Sequence, residues 1–244
     1  MIVADAKPLD EVFGFIRNRG KVLVLGCGEC VTVCQAGGEK EVAVIAQALR
    51  LKAGTEGVQI EFVEDTIRRQ CEPEFVDPIL ENLEGADAIL STACGVGVNF
   101  LAERLGATPV FPAANTTFMG ATVEHGEWAE RCAGCGDCIL HLTGGICPVA
   151  RCAKSILNGP CGGTKDGKCE VSRPERVVDC AWALIVERAK RLGTLESLTG
   201  VVPPQDWSTA RDGGPRRRVR ADLKVAAQEG GRSSAPSQPT MSAG

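Results

Sequence analysis

The sequence predicts an α/β protein: a small doubly wound, Rossmann-like parallel sheet, then a cysteine-rich, loop-dominated cluster-binding domain that ends in a helix. Three observations predict it. Short apolar runs alternate with amphipathic stretches from Val22 to Phe111. Turns rich in glycine and cysteine follow those runs. Beyond them, eight cysteines crowd between Cys132 and Cys180 with little periodicity around them.

Pro8 to Arg19, stopped by Gly20, reads as a short leading helix. Val22 to Leu25 is an apolar run with turn glycines behind it, the pattern of a buried strand. Val42, Ile45, Ala46 and Leu49 fall on one face of a helix starting near Glu39. Val58 to Val63 is the second strand, and Phe75, Ile79, Leu80 and Leu83 line a second helix after Pro73. Ala88 to Leu90 is the third strand, followed by a helix carrying Val98, Leu101, Ala102 and Leu105. Pro109 to Phe111 is the fourth. Four strands joined by helical crossovers make a doubly wound sheet, whose ligands bind at the carboxyl ends of its strands.

Ala113 to Gly126 is expected to be a polar, small-residue connection. Loops around inorganic centres are expected over 127–172. Pro174 is expected to open a helix with Val177, Val178, Ala181, Leu184, Ile185 and Arg188 at helical spacing, ending at Leu192. From Pro203 the chain is Pro, Gly, Ser and Arg, including Arg216, Arg217 and Arg218, and cannot bury enough apolar surface to fold alone. The expected domains are therefore 1–122, 123–202 and a disordered tail, 203–244.

Composition narrows the function. The net charge is −4, so no overall field favours nucleic acid or an anionic membrane. No window approaches the roughly 20 apolar residues of a membrane span. The opening stretch has no cationic start, long apolar run or small-residue cleavage site, so no signal peptide is expected. The expected location is the cytoplasm, where clustered thiols stay reduced and bind metal. Thirteen cysteines stand against two histidines and no tyrosine.

Thiolates are soft ligands that suit iron–sulfur clusters and zinc, and a [4Fe–4S] cluster takes four of them. Cys27, Cys30 and Cys34 form C-x2-C-x3-C after the first strand, with Cys71 after the second and Cys94 after the third. Either of the last two could complete a set with the triplet. Cys132, Cys135 and Cys138 form C-x2-C-x2-C, the spacing of the first three ligands in bacterial ferredoxins. The following Cys147-Pro148 supplies a Cys-Pro, but with eight residues between rather than three. The partition of Cys147, Cys152, Cys161, Cys169 and Cys180 is open. All thirteen are candidate ligands, enough for three four-ligand sites with one thiol spare: two or three [4Fe–4S] clusters, with one zinc site possible.

Weaker signals are set aside. Cys94-Gly-Val-Gly97 lacks the third glycine of a dinucleotide loop, with Phe100 in its place. His125 and His141 are isolated, and Trp128, Trp182 and Trp207 read as packing anchors. There is no Ser/His/Asp arrangement, P-loop or carboxylate pair.

The segments LGCGECVTVCQAGGEKEV (Leu25–Val42), RQCEPEF (Arg69–Phe75), TACGVGV (Thr92–Val98), TGGICPVARCAKSILNGPCGGTKDGKCEV (Thr143–Val171) and CAWALIVERA (Cys180–Ala189) carry a resemblance. Together they resemble the MetV-type iron–sulfur small subunit of bacterial methylenetetrahydrofolate reductase, and the related domain at the C-terminus of some reductases. The resemblance implies a non-catalytic electron-transfer subunit of a one-carbon oxidoreductase complex. It implies a flavin-containing catalytic partner of MetF type, holding FAD or FMN, and a donor such as ferredoxin or a nicotinamide-linked subunit. The alternatives are a non-redox zinc scaffold for the same reductase and a carrier for a corrinoid or heterodisulfide enzyme.

Overall fold

The computed structural model describes residues 1–80, 85–210, 214–217, 219–220 and 222. Leu83, Arg218 and the segment 223–244 therefore lie outside the described residues. The chain divides into two compact units, 1–134 with 138–204 and 135–137 with 205–244.

The first unit opens with β1 (Ile2–Ala6), α1 (Leu9–Ile16), β2 (Lys21–Cys27), α2 (Cys30–Val33) and α3 (Glu39–Glu56). It continues through β3 (Glu61–Ile67), α4 (Pro73–Leu80), β4 (Ala88–Ser91), α5 (Gly95–Leu105) and β5 (Val110–Pro112). Strands β3, β2, β4 and β5 form a parallel sheet in that order. The predicted doubly wound sheet is therefore present, with β2 and β4 at its centre.

Strand β2 is buried on both faces because its side chains alternate between two helical layers. Val22 and Val24 pack with Val12, Phe13 and Ile16 of α1 and with Val42, Ala46 and Leu49 of α3. Leu23 and Leu25 point the other way, toward Val76 of α4 and Leu101 of α5. Each such aliphatic side chain contributes roughly 1.5–3 kcal/mol on burial, so a register slip that exchanged the two faces would cost several of these at once. The two cores thus fix where β2 ends.

Helix α3 shows how local rules agree with this packing. Its buried residues Val42, Ala46, Leu49 and Ala53 recur at helical spacing. The Glu41 carboxylate accepts the Gly38 N–H at 2.9 Å, satisfying a donor at the N-terminus. Gly57, at φ 69°, closes the C-terminus in the left-handed conformation that glycine adopts without a Cβ clash.

Several expectations are corrected. The stretch 113–126 is not a simple connection. It holds β6 (Ala114–Glu124) and leads into β7 (Glu127–Cys132), and β6 pairs antiparallel with both β1 and β7. Most of β6 is exposed, so it lacks the apolar alternation by which a strand is read from sequence. Strand β3 begins at Glu61 rather than Val58, because Val58 and Ile60 pack against the core on the way from α3 to the sheet.

The cysteine-rich region holds α6 (Pro148–Arg151), β8 (Thr164–Lys165), β9 (Lys168–Cys169) and α7 (Ala181–Leu192), with loops between them. The last helix starts at Ala181, not Pro174. Residues before it pair instead as a strand would: Cys169 N–H donates to the Val178 carbonyl at 2.8 Å, and Lys168 bridges Asp179. In the second unit, Trp207–Thr209 forms one 3-10 turn capped by the Asp206 carboxylate, which accepts the Ser208 N–H at 2.9 Å. Part of the segment expected to be featureless is therefore ordered locally.

Candidate functional site

The sheet order creates the site. From β2 the chain crosses to β3 on one side, then returns past β2 to β4 and continues to β5 on the other. Between β2 and β4 the winding reverses, and the crevice beyond their carboxyl ends is where a doubly wound sheet binds its ligand. Cys27 is the last residue of β2, and Cys94 caps α5 just after β4. Cys30 opens α2, and Cys71 lies between β3 and α4. Cysteines from three segments distant in sequence thus lie at the carboxyl ends of adjacent strands.

Backbone contacts hold these loops together. Cys27 N–H donates to the Gly37 carbonyl at 3.0 Å, and the Thr32 hydroxyl donates to the Cys27 carbonyl at 2.8 Å. Thr92 closes the same loop from β4, donating its hydroxyl to the Gly37 carbonyl at 2.7 Å. A Cβ at Gly37 would run into the Thr92 carbonyl, so the approach requires glycine. Gly28 N–H donates to the Ile67 carbonyl at 2.9 Å, and Glu29 accepts from Arg68 at 2.9 Å. Those contacts join the Cys30 loop to the Cys71 loop. The Arg68 guanidinium holds the Glu29 carboxyl below its usual range, with Arg69 adding to the effect.

Gln70 is the residue the sequence did not single out. It is fully buried, and its amide nitrogen donates to the carbonyls of Leu25 at 2.8 Å and Gly26 at 2.9 Å. A glutamine preceding a cysteine after a strand gives no sequence signal for this role. The Gly97 of the supposed dinucleotide loop serves packing here, since a Cβ there would press on Gln70 and Ala93. Gly95 N–H is already taken by the Thr116 hydroxyl at 2.7 Å.

The thiols sense one another. Burial pushes the Cys27 thiol up, hydrogen bonds from the Gln70 and Glu29 backbone oppose this, and negative charge on Cys94 or Cys30 pushes it up further. Cys71 is raised by burial first, then by Cys27 and Cys94. Burial is the main cause at both thiols, and the smaller charge effects come from cysteines of the neighbouring strand ends. Cys34 stands apart. Its thiol donates to the carbonyls of Val31 at 3.6 Å and Ala4 at 3.7 Å. Burial pushes it up as well, and the charged neighbour acting on it is Asp5. Cys71 and Cys94 follow β3 and β4, the two strands that flank β2 in the sheet.

In the second half, Cys152, Cys169 and Cys180 pack around Trp182 and Ile185. Burial acts to raise the Cys180 thiol, but hydrogen bonds from the Ala183 backbone, the Thr164 side chain and the Trp182 backbone leave it below its ordinary value. That is the expected effect of the N-terminus of α7 on a thiolate. Cys161 accepts the Gly163 N–H at 3.4 Å and faces the Lys154 ammonium at 3.9 Å. The Lys154 ammonium is raised by Glu170 first and also by Cys161 and Cys169, which ties those two cysteines to one cation. Cys147 caps α6, which packs on β7. Cys132 accepts the Gly134 N–H at 3.3 Å, while the Cys135 thiol donates to the Asp137 carbonyl at 3.3 Å. Cys138 is exposed. His125 and His141 are both exposed.

Among the described residues, no group of three or more His, Cys, Asp or Glu side chains is arranged to hold a metal ion. An iron–sulfur cage is larger than one ion and holds its thiolates farther apart. The donor set itself fits such a cage. Free cysteines border the crevice from three strand ends, and N–H groups are already directed at sulfur at Cys132 and Cys161.

Among the described residues, no helix is long and apolar enough to cross a membrane. No curated protein and no solved structure matches the chain. The segment 111–208, which carries β6, β7 and all eight cysteines from Cys132 to Cys180, matches the family described as methylene-tetrahydrofolate reductase C terminal, and in that segment the chain is similar to that domain.

Proposed function

We propose that the chain is an iron–sulfur electron-transfer subunit that passes electrons to or from the flavin of a MetF-type methylenetetrahydrofolate reductase. What supports this reading is that Cys27, Cys30, Cys71 and Cys94 lie at or just after the carboxyl ends of the adjacent strands β2, β3 and β4, where doubly wound sheets bind ligands. The family match of the second half points to the same reductase.

The contacts suggest how thirteen cysteines divide. Cys27, Cys30, Cys71 and Cys94 form one set. Cys152, Cys161, Cys169 and Cys180 form another, joined through Trp182 and Lys154. Cys132, Cys135, Cys138 and Cys147 remain as a third set by their spacing in sequence. Cys34 is the spare thiol. A cluster held by such a set supplies one-electron transfer, and a flavin gathers two electrons for delivery as a hydride.

The chain's own residues do the holding. Gln70 fixes the carbonyls of Leu25 and Gly26, which keeps Cys27 at the strand end. The N-terminus of α7 favours the thiolate of Cys180. Trp182 packs with Cys152, Cys169 and Cys180 of the second set. Anaerobic co-expression with a MetF-type flavoprotein tests the proposal. The expected result is a brown complex in which dithionite-reduced chain reduces the flavin. A colourless chain holding only zinc would identify a scaffold instead, and a brown chain that ignores the flavoprotein would assign it to another enzyme.

A further inference from the structure

A cavity of different chemistry from the crevice lies among the residues of the second half. It measures about 570 Å³ and opens between α6 and the turn that follows β9, within the range of small-molecule sites. Arg151, Arg173 and Arg176 line it together with Glu175, and Val171 and Val178 supply apolar lining.

Its charge is unusual for this chain, whose net charge is −4. Arg173 and Arg176 bridge each other across a tight turn, each N–H donating to the other's carbonyl at 2.9 and 3.0 Å. Residues opposed in an antiparallel bridge project to the same face, so the turn presents two guanidiniums together. Arg151 adds a third from α6, and Arg131 of β7 lies near enough to act on it by charge. Among the described residues, none of Arg151, Arg173 and Arg176 forms an ion pair with a carboxylate. The nearby Asp179 is engaged by Lys168 at 2.5 Å.

Asp179 also acts on Arg151 by charge and Glu175 lines the cavity, so three guanidiniums against these carboxylates leave a positive balance that an anion would complement. The planar fork of arginine matches phosphate oxygens with two parallel hydrogen bonds, and its flat face stacks on aromatic rings. The apolar lining offers a surface for a base. We propose that this cavity binds a nucleoside diphosphate, with the phosphates between Arg151, Arg173 and Arg176 and the base against Val171 and Val178. Cys152 also lines the cavity, which places this ligand beside the second cysteine set.

Calorimetry on the anaerobically purified full chain tests this, using ADP, inorganic pyrophosphate, adenosine and a ten-residue glutamate peptide. ADP is expected to bind more tightly than pyrophosphate, and adenosine not at all. Arg173→Gln and Arg176→Gln should each weaken ADP by about 10-fold or more, the loss expected of a charge-assisted bidentate contact. Glu175→Gln should strengthen it by about 2- to 5-fold, because a surface charge opposing the ligand is removed. That gain cannot arise from damage to the fold. Arg104→Gln, at a distant ion pair with Asp77, should leave binding unchanged. Failure of ADP to bind, equal weakening by Arg104→Gln, or tighter binding of the glutamate peptide than of ADP would each overturn the proposal. The last of these would identify a docking surface for an acidic protein.

Discussion

Ser91 donates its hydroxyl to the side-chain oxygen of Gln70 at 2.6 Å, and both residues are wholly buried at the carboxyl edge of the sheet. The same Ser91 hydroxyl accepts the Ala93 N–H at 3.2 Å. With the two carbonyls held by Gln70, this network joins the ends of β2 and β4 directly beneath the cysteines. A buried polar network is stabilising only when every member is satisfied, and here each has a partner.

Removing one member should therefore be costly. Gln70→Ala is expected to destabilise the protein by about 2–4 kcal/mol, combining lost hydrogen bonds with a cavity. Ser91→Ala should cost less, about 1–3 kcal/mol. Urea denaturation followed by circular dichroism measures both. A change under about half a kcal/mol for Gln70→Ala would contradict this role.

The parallel sheet was legible in the sequence because its two central strands are buried on both faces and read as unbroken apolar runs. Val22 to Leu25 and Ala88 to Leu90 are such runs. The sheet of β1, β6 and β7 was not legible, since β6 pairs through its backbone while most of its side chains meet water. Cysteine spacing pointed to the loops at the carboxyl ends of the strands, and the sheet order puts those loops on one edge. Cys34, four residues after Cys30, donates to the Ala4 carbonyl and shares an apolar cluster with Val3, Val31 and Cys27. Both Cys71 and Cys94 lie at the crevice, a consequence of strand order that no local pattern encodes.

Gly37 is predicted to tolerate no side chain. Gly37→Ala would press a methyl group on the Thr92 backbone, and overpacking of this kind costs about 1–3 kcal/mol. Thermal unfolding checks it, and an unchanged melting temperature would show that the loop yields without cost.

Trp182 is 5% exposed, and its indole N–H donates to the Ile156 carbonyl at 2.8 Å. Trp182→Ala is expected to cost about 3–5 kcal/mol, while Trp182→Phe keeps most of the packing and should cost about 1 kcal/mol for the lost hydrogen bond. Denaturant midpoints of the two variants give the comparison. Equal losses would mean that the hydrogen bond, not the ring, matters.

Cys34 gives a pH prediction for the metal-free protein. Burial raises its folded value above that of the unfolded chain. At pH below the ordinary thiol value both states hold the proton, so its contribution to stability is constant. As pH rises past that value the unfolded chain ionises first, and stability falls. Cys34→Ala should reduce this alkaline loss. In the wild type, Cys34 should be among the last thiols alkylated under native conditions. Mass spectrometry of partially labelled protein reads this directly, and early labelling would contradict its burial.

The central claim is tested most directly by iron content in single Cys→Ser variants of the anaerobically purified chain. The account predicts a loss of about four irons, one cluster's complement, from each of Cys27→Ser, Cys30→Ser, Cys71→Ser and Cys94→Ser, and no loss from Cys34→Ser. Iron-free native protein, or a Cys34→Ser variant that loses as much iron as Cys71→Ser, would contradict it.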